Sequence, residues 1–401
     1  MAHILYLEWN SYAGLFMTRA WKKNGDTFVS FWMDTRDNTR YGEELTRKLV
    51  MTLMSEKFDY VFSFNFFPVA AMAAKACRLP YVSWVYDNPY ALLYSQTIRF
   101  ETNYCFLFDR AQVQKLRKQG VQTVYYLPLA SDVEYYDSLP ALSEEKRQAY
   151  QSDISFVGSL YIEERQQLYR RFDALDAYTK GYLDGMVELQ SKLYGLNALE
   201  DMLTQELISK MEQAAPLMEH PDAFATKAWY YANFYLYRQV TALERTRLLG
   251  KLSDYDLKVY TSREAKEKLQ WPGMYDKVDY YEQAPYVYQN SKININITLK
   301  SIETGIPLRI FDIMANAGFV LTNYQADLFE LFTPGEDFVY YEDEKDFVCK
   351  IDYYLSHDKE RQRISQNARK KIEACHTFYD RLQDIHAIIF RDGNRKPDDS
   401  L

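Results

Sequence analysis

The sequence has few cysteines and histidines, and neither type is spaced as a metal site would require. Its 401 residues include four cysteines, which lie far apart and form no C-x-x-C pair. The five histidines are also scattered and form no H-E-x-x-H motif. This spacing argues against a zinc site and against a disulfide framework. It favours reduced cysteines and therefore a cytoplasmic location.

Long hydrophobic runs and an excess of basic residues are lacking as well. No run approaches the roughly 18–20 apolar residues that a membrane-spanning helix needs. The N-terminus, MAHILYLEWNSYAG, has neither the basic region nor the small-residue cleavage site of a signal peptide. The formal net charge of −8 argues against a nucleic-acid partner, because phosphate backbones bind basic surfaces. A local cationic pocket for one phosphorylated ligand remains compatible with that charge.

Short apolar runs alternate with helical segments in the first part of the chain. The segments between the runs, such as Gly14 to Asn24 and Glu43 to Lys57, have helical patterns. This alternation predicts βαβ units and a parallel sheet. The predicted strands are HILYLEW, TFVSFWM, DYVFSFNFF, YVSWVYD, NYCFLFD and VQTVYYLPL.

The second part of the chain repeats this alternation around a long helical segment. Its predicted strands are ISFVGS, LKVYTS, KININITL, FVLTN and FVYYED. Between the first two, residues of about 161–249 read as a helical insertion, because Leu168, Phe172 and Leu175 recur at helical spacing. We expect an N-terminal Rossmann-like domain over residues 1–140 and a C-terminal one over 150–375. A final helix and polar tail would occupy residues 376–401.

Polar residues follow the strands of the predicted N-terminal sheet, where ligands of such sheets bind. Asn10, Asn65, Asp87 and Asp109 come directly after or close to the ends of four strands. Asp87 precedes Pro89 and is our candidate to orient or deprotonate an acceptor hydroxyl. The alternative is that these side chains are polar only because loops are exposed, and that Asp87 caps a turn.

The segment GIPLRIFDIMANAGFVLTN, Gly305 to Asn323, predicts a short helix followed by a strand. Pro307 suits the first helical turn and Gly318 suits the stop after the helix. A helix N-terminus attracts anions, and Arg309 adds a forked donor for phosphate oxygens. Asp312 could accept hydrogen bonds from a ribose diol. Alternatively, Arg309 and Asp312 pair with each other at i, i+3 spacing.

Several motifs in the same order resemble the CgeB-like glycosyltransferases of the spore-maturation type, within the GT-B group (family 1/4-like). They include ISFVGS, YVYQNSK, KININIT, RIFDIMANAGFVLTN, DLFELFTPGEDFVYYED and HTFYDR. FNFFPVAAMAA, YVSWVYDNP, NYCFLFDR and YLPLASD resemble the domain that usually precedes them. The resemblance implies an α/β fold of the GT-B type, with two Rossmann-like domains facing a central cleft and a helical insertion in the second.

The resemblance also implies site residues. Asp312 matches the second carboxylate of a Glu-x7-Glu element that contacts the donor in related retaining enzymes. The first carboxylate has no match in register, because Thr304 stands eight residues earlier and Glu303 one further back. Gly158 and Ser159 resemble the turn that approaches the donor. Lys300 and, more weakly, Arg165 are further phosphate-binding candidates beside Arg309; each could instead be a solvated cation.

The expected activity is transfer of a sugar from a nucleotide diphosphate sugar, with a UDP-sugar favoured, to a cell-surface polysaccharide or protein. Asp87 and Glu303 are the catalytic candidates. We expect no metal and no other cofactor. The alternatives are a nucleotide-sugar epimerase and a catalytically inactive binding or coat-associated protein of the same fold. The helical insertion could shape an acceptor site or mediate an oligomer contact.

Overall fold

A computed structural model describes residues 1–35, 39–218 and 220–391, which form two compact units. The N-terminal unit contains residues 1–132, 220–224 and 375–391, and the C-terminal unit contains residues 133–218 and 225–374. The sequence placed the boundary near residues 140–150, whereas the chain leaves the N-terminal unit after Asp132 and returns to it for the last helix. The predicted tail beyond Arg391 lies outside the described residues.

Each unit is built on one six-stranded parallel sheet. The strands of the N-terminal sheet are β1 His3–Glu8, β2 Thr27–Trp32, β3 Tyr60–Phe64, β4 Tyr81–Val85, β5 Asn103–Leu107 and β6 Val124–Tyr126. Those of the C-terminal sheet are β7 Ser152–Val157, β8 Leu257–Thr261, β9 Met274–Asp276, β10 Ser291–Asn296, β11 Val320–Asn323 and β12 Val339–Tyr341.

Helices connect the strands, as parallel pairing requires. They are α1 Gly14–Asn24, α2 Glu43–Ser55, α3 Pro68–Cys77, α4 Arg110–Lys118, α5 Val133–Asp137, α6 Glu144–Tyr150, α7 Ala177–Gln190, α8 Leu199–Met202, α9 Gln205–Ala214, α10 Lys227–Tyr230, α11 Tyr237–Gly250, α12 Arg263–Leu269, α13 Ala284–Asn290, α14 Leu308–Ala315, α15 Ala326–Leu331, α16 Glu344–Ser356, α17 Asp358–Cys375 and α18 Phe378–Arg391. Short 3-10 turns lie at Ala91–Tyr94, Gln96–Arg99, Glu164–Gln166 and Leu168–Ala174.

The strand order in each sheet reverses direction once. The N-terminal order is β2-β1-β3-β4-β5-β6, so the reversal falls between β1 and β3. The C-terminal order is β12-β11-β10-β7-β8-β9, so the reversal falls between β7 and β10. The connections diverge at these two points and leave a crevice at the carboxyl ends of the strands.

The apolar runs of the sequence become strands that are covered on both faces. All five residues of β3 and all five of β4 are buried, which explains why these strands read as continuous runs without alternation. β9 is the one strand of the described sheets that the sequence did not predict. It has three residues, Met274–Asp276, none of them buried, and therefore carries no apolar signal.

The helical insertion has a hydrophobic core of its own. Phe172, Leu183, Met211, Tyr231 and Leu236 belong to one buried cluster. Burying a large apolar side chain stabilises a fold by about 1.5–3 kcal/mol, so this cluster can hold the insertion's helices together. The helical stretch from α10 to α11 is interrupted by a π-helical turn at Tyr231–Leu236.

Residues 220–224, within the predicted insertion, group with the N-terminal unit. Asp222 accepts hydrogen bonds from Arg40 Nη1 (2.9 Å), the Ser95 hydroxyl (2.5 Å) and the Tyr41 hydroxyl. Burial acts to raise the pKa of Asp222, but these three donors lower it below its usual value. The Asp222 carbonyl also accepts from the Gln96 amide at 2.8 Å. A short part of the insertion is therefore an integral piece of the N-terminal unit.

The turn after α14 differs from the expectation for Gly318. The residue in the left-handed conformation is Ala317, with φ of 53°. Gly318 is required for another reason, since a Cβ there would lie 2.8 Å from the Ile313 side chain, 2.9 Å from Asn294 Nδ2 and 3.0 Å from the Tyr288 carbonyl oxygen. The glycine therefore permits the link from α14 to β11 to pass close to α13 and β10.

Candidate functional site

The reversal point of the C-terminal sheet carries a cluster of polar groups. β7 ends in the turn at Gly158 and Ser159, and β10 ends at Asn296. α14 begins at Leu308, after the loop that follows β10, and contributes Arg309. The order of the strands thus brings together residues that are 138 and 13 positions away from Asn296 in the sequence.

Arg309 is held in place by neutral groups. Its Nη1 donates to Asn296 Oδ1 at 3.1 Å, and its guanidinium carbon lies 5.7 Å from the centre of the Phe156 ring. Burial raises the pKa of the Tyr288 phenol, whereas the adjacent Arg309 opposes that rise. Because Arg309 is half-buried and its hydrogen bond to Asn296 is made to an uncharged amide, its positive charge stays available for an anion.

Gly158 allows this arginine to lie against the turn after β7. A Cβ at residue 158 would stand 2.6 Å from Arg309 Nη2 and 3.2 Å from its guanidinium carbon. Such a contact is shorter than van der Waals distance, so any larger residue would displace the guanidinium. The sequence identified both residues, and the structure shows that the glycine is needed because the arginine is there.

Asn296 was missed in the sequence and positions Arg309. It is fully buried, and its Nδ2 donates to the hydroxyl oxygens of Thr298 and Thr322, both at 3.0 Å. These contacts turn its carbonyl oxygen toward Arg309. A signal existed in KININIT, because an asparagine in a strand buried on both faces must have polar partners.

Ser159 fixes the loop after β7. Its hydroxyl lies 3.0 Å from both carboxylate oxygens of Glu163 and accepts the Tyr161 amide at 3.0 Å. Its carbonyl oxygen accepts from Arg245 Nη1 at 2.5 Å. Arg245, from α11, also donates Nε to the Ile297 carbonyl at 3.0 Å and Nη2 to the same oxygen. It therefore ties the ends of β7 and β10 together.

Arg245 is a second residue that the sequence did not identify. It is 4% exposed, and burial lowers its pKa to about 10, with a smaller contribution from the nearby charge of Arg309. At neutral pH it remains charged and adds positive potential beside the Gly158 turn. The sequence did not reveal the role of Arg245 at this turn, because many other charged residues surround it in the long helical segment.

Lys300 and Asp312, two predicted donor-binding residues, are buried among protein partners. Lys300 is 6% exposed; its Nζ donates to the Leu193 carbonyl at 3.0 Å and lies 3.5 Å from Glu244 Oε2. Asp312 is 1% exposed and accepts a hydrogen bond from the Tyr136 hydroxyl at 2.9 Å. The pKa of the Tyr280 phenol is raised mainly by burial and, to a smaller extent, by the negative charge of Asp312. The donor-binding roles of both residues stay predictions.

Glu303 is half-buried in the turn between β10 and α14. Its charge contributes, after the larger effect of burial, to a raised pKa of the Tyr237 phenol. Tyr237 is the first residue of α11, so Glu303 lies near the insertion helix. Its catalytic role stays a prediction.

The carboxyl edge of the N-terminal sheet carries amides and aromatic rings. Asn65, 1% exposed, donates Nδ2 to Asp87 Oδ2 at 2.7 Å and accepts the amides of Tyr86 and Asp87 at 3.2 Å each. The Trp9 indole donates to the Phe64 carbonyl at 2.9 Å and stacks on Tyr86, with centroids 6.2 Å apart. The edge thus offers aromatic faces beside a carboxylate.

Asp87 is exposed as a residue, yet the atoms around its carboxyl group exclude water, and this desolvation raises its pKa; the Asn65 hydrogen bond opposes that rise. Asn10 is exposed after β1. Asp109 is 1% exposed and caps α4 by accepting the Gln112 amide at 3.4 Å. Of the four predicted residues of this edge, the structure joins Asn65 to Asp87 directly, while Asp109 has at least a helix-capping role.

Among residues 1–35, 39–218 and 220–391, no group of three or more histidine, cysteine, aspartate or glutamate side chains is arranged to hold a metal ion. No helix within the same residues is long and apolar enough to cross a bilayer. The cytoplasmic location and the oligomer contact expected from the sequence stay predictions.

Residues 238–387 match a protein-family model described as "Glycosyl transferase-like". A comparison with curated proteins gives no match. Among solved structures, the chain is similar to Anabaena Alr3699/HepE in complex with UDP-glucose, with 11% identity and a TM-score of 0.54 over 98% of this chain and 100% of that one. It is also similar to sucrose-phosphate synthase from Thermosynechococcus elongatus, with 9% identity and a TM-score of 0.53 over 98% and 100% of the two chains.

A third similar structure is a glycosyltransferase from Rickettsia africae ESF-5, with 10% identity and a TM-score of 0.50 over 96% and 97% of the two chains. Residues 238–387 are therefore similar to the glycosyl transferase-like family, and the chain has the GT-B fold class, which confirms the fold predicted from the sequence. The matched segment includes β10, Asn296, Arg309 and Arg245.

Proposed function

We propose that the chain is a glycosyltransferase that uses a nucleotide diphosphate sugar, with a UDP-sugar favoured as donor. The observation that carries the proposal is Arg309, held by the buried Asn296 against the Gly158 turn where the strand order reverses. The match of residues 238–387 to the glycosyl transferase-like family and the UDP-glucose in Alr3699/HepE support it.

The reaction moves a sugar from phosphate to a hydroxyl group. The bond between the anomeric carbon and the diphosphate oxygen breaks, and the acceptor oxygen bonds to that carbon. Negative charge accumulates on the departing diphosphate. Arg309 and the backbone N–H groups at the start of α14 supply positive charge for that oxygen, as preorganised groups that need no rearrangement.

The acceptor hydroxyl must lose its proton, and we assign that role to Asp87. Its carboxylate is oriented by Asn65, and its pKa is raised by desolvation, which makes the carboxylate a better base than an ordinary aspartate. The acceptor is a carbohydrate or a protein of the cell surface, as the CgeB-like motifs imply. We also propose that turnover needs no metal, because Arg309 and the α14 N-terminus provide the charge that a metal would otherwise supply.

The test is release of free nucleotide diphosphate from UDP-, GDP-, dTDP- and ADP-sugars, measured for the wild type and for Arg309→Ala. One donor should be turned over, with or without added EDTA, and Arg309→Ala should lower the rate by about 100-fold. Arg263→Ala is the matched control, because this arginine lies on α12 with its side chain 83% exposed and pairs with Glu267 on the same helix.

Other results would replace the proposal. Donor binding without release, also when a range of acceptors is present, would favour a catalytically inactive protein. A changed sugar that remains attached to its nucleotide would indicate an epimerase. If no donor binds, the assignment of Arg309 to a diphosphate is wrong.

A further inference from the structure

The helical insertion carries two arginines on one face of α11. Arg238 and Arg245 are seven residues apart, which is close to two full turns, so their side chains leave the helix in nearly the same direction. Arg238 follows the π-helical turn at Tyr231–Leu236 by two residues. Turns of this kind often occur at functional sites, because they change the direction of the side chains that follow.

The two arginines differ in what they bind. Arg245 donates hydrogen bonds from three of its N–H groups to the carbonyl oxygens of Ser159 and Ile297. Arg238 is half-buried, and its guanidinium carbon lies 5.0 Å from the centre of the Phe234 ring. Its Nε is buried, and within the described part of the chain no protein atom accepts a hydrogen bond from it. A buried donor of a charged group without an acceptor costs free energy unless a ligand or water supplies one.

Other groups near Arg238 belong to the loop that follows β7. Burial lowers the pKa of Arg238; Arg165 lowers it further, and Tyr161 opposes this. Tyr161 likewise opposes the lowering of the pKa of Arg245. Two carboxylates around this loop have partners: Glu163 accepts from Ser159 and Ser262, and Glu264 accepts the Glu164 amide and pairs with Lys268. Arg309 therefore lies against Gly158, and Arg245 binds the Ser159 carbonyl. Arg238, on the same face of α11 as Arg245, is influenced by Tyr161 and Arg165 of the loop that follows β7.

We propose that Arg238 is a second phosphate-binding arginine of the donor site, supplied by the helical insertion. This inference rests on the proposed function and deepens it. Arg309 would bind one phosphate of the donor and Arg238 the other, with Arg245 holding the loop between them. Full binding affinity would then require two phosphates on the ligand. A nucleoside monophosphate would lack most of the binding affinity that Arg238 contributes.

The experiment compares the binding of UDP and UMP, with GDP and GMP alongside, by titration calorimetry. Arg238→Met keeps an apolar stem to pack on Phe234 but removes the charge. It should weaken diphosphate binding about 10- to 100-fold and monophosphate binding by less than threefold, as expected for loss of a charge-assisted hydrogen bond. Arg238→Lys should recover part of the loss, because the charge returns without the fork.

Arg247→Met is the matched control on the same helix, since Arg247 pairs with Glu188 and Glu344 and lies outside the loop. Thermal unfolding of all variants separates loss of binding from loss of fold. If the wild type binds the diphosphate and Arg238→Met leaves the ratio of diphosphate to monophosphate affinity unchanged, the inference is wrong and the proposed function stands. If the wild type binds no nucleotide diphosphate, both fall together.

Discussion

The carboxyl edges of the two sheets follow the same plan with opposite charges. In the C-terminal unit, the buried Asn296 turns its carbonyl oxygen toward Arg309; in the N-terminal unit, the buried Asn65 turns its amide nitrogen toward Asp87. Each asparagine is oriented by its other contacts, two threonine hydroxyls for Asn296 and two backbone amides for Asn65. A neutral amide thus holds each charged side chain in place.

This comparison shows how a charge can be positioned without being cancelled. A carboxylate partner would fix Arg309 equally well, but it would neutralise the arginine and compete with a phosphate. An ammonium partner would do the same to Asp87. A buried amide provides the geometry of a hydrogen bond and leaves the charge for a ligand. The strand order determines where each edge lies, and the residues of the loops determine which ligand it suits.

The sharpest way to break this comparison is Asn296→Asp. The hydroxyls of Thr298 and Thr322 can rotate to donate, so the aspartate can be accommodated, and it would pair with Arg309. We expect donor affinity to fall by about 100-fold because the arginine is neutralised, while the thermal unfolding temperature stays within a few degrees of the wild type. Titration calorimetry with the donor nucleotide measures the first and scanning calorimetry the second. Unchanged affinity would contradict a role for the free charge.

A smaller effect is expected for Gly158→Ala, which changes the position of Arg309 and leaves its charge intact. The new Cβ would meet Nη2 at 2.6 Å, so the guanidinium must move. We expect the rate of nucleotide release to fall by about tenfold, as displaced charge-assisted hydrogen bonds weaken. Gly181→Ala is the control, since nothing lies within 4 Å of a Cβ there and α7 should be stabilised by about 0.5–1 kcal/mol. Equal rates for both variants would refute the close-approach argument.

The smallest effect near neutral pH is expected for Asn65→Asp, the counterpart of Asn296→Asp in the other unit. A second carboxylate beside Asp87 raises the pKa of the pair, in addition to the rise that desolvation already causes. A base acts only when deprotonated, so activity is lost as the pH falls through its pKa, and a raised pKa moves that loss to higher pH. The acid limb of the rate profile should therefore shift upward. A profile identical to the wild type would remove Asp87 from the reaction.

The sequence was sufficient to predict the sheets and to single out Arg309, which the structure places beside the Gly158 turn. Continuous apolar runs predicted every described strand except β9, whose three residues are too short and too exposed to leave a pattern. Arg309 and Gly158 were identifiable because proline and glycine mark the turns on which they lie. The close approach of Arg309 to Gly158 was not identifiable, because the two residues are 151 positions apart in the sequence.

Partners distant in the sequence also explain the residues that were harder to interpret. Lys300 and Asp312 are donor-binding candidates in the sequence. In the structure, Leu193 and Glu244 contact the first and Tyr136 contacts the second. Asp222 reads as part of a helical insertion, yet Arg40 and Ser95 bind it within the N-terminal unit. Local patterns indicate secondary structure; they do not reveal which distant side chain meets a charge.

The placement of α18 has a consequence for the order in which the protein forms during translation. Phe378, at the start of α18, packs on Phe16 and Trp84 with ring centroids 5.4 Å away from each, and His386 lies 3.1 Å from the Tyr60 hydroxyl. The ribosome therefore synthesises every residue of the C-terminal unit before the N-terminal unit receives its last helix. Until then, the aromatic surface around Phe16 and Trp84 is uncovered, and the unit that begins first is completed last.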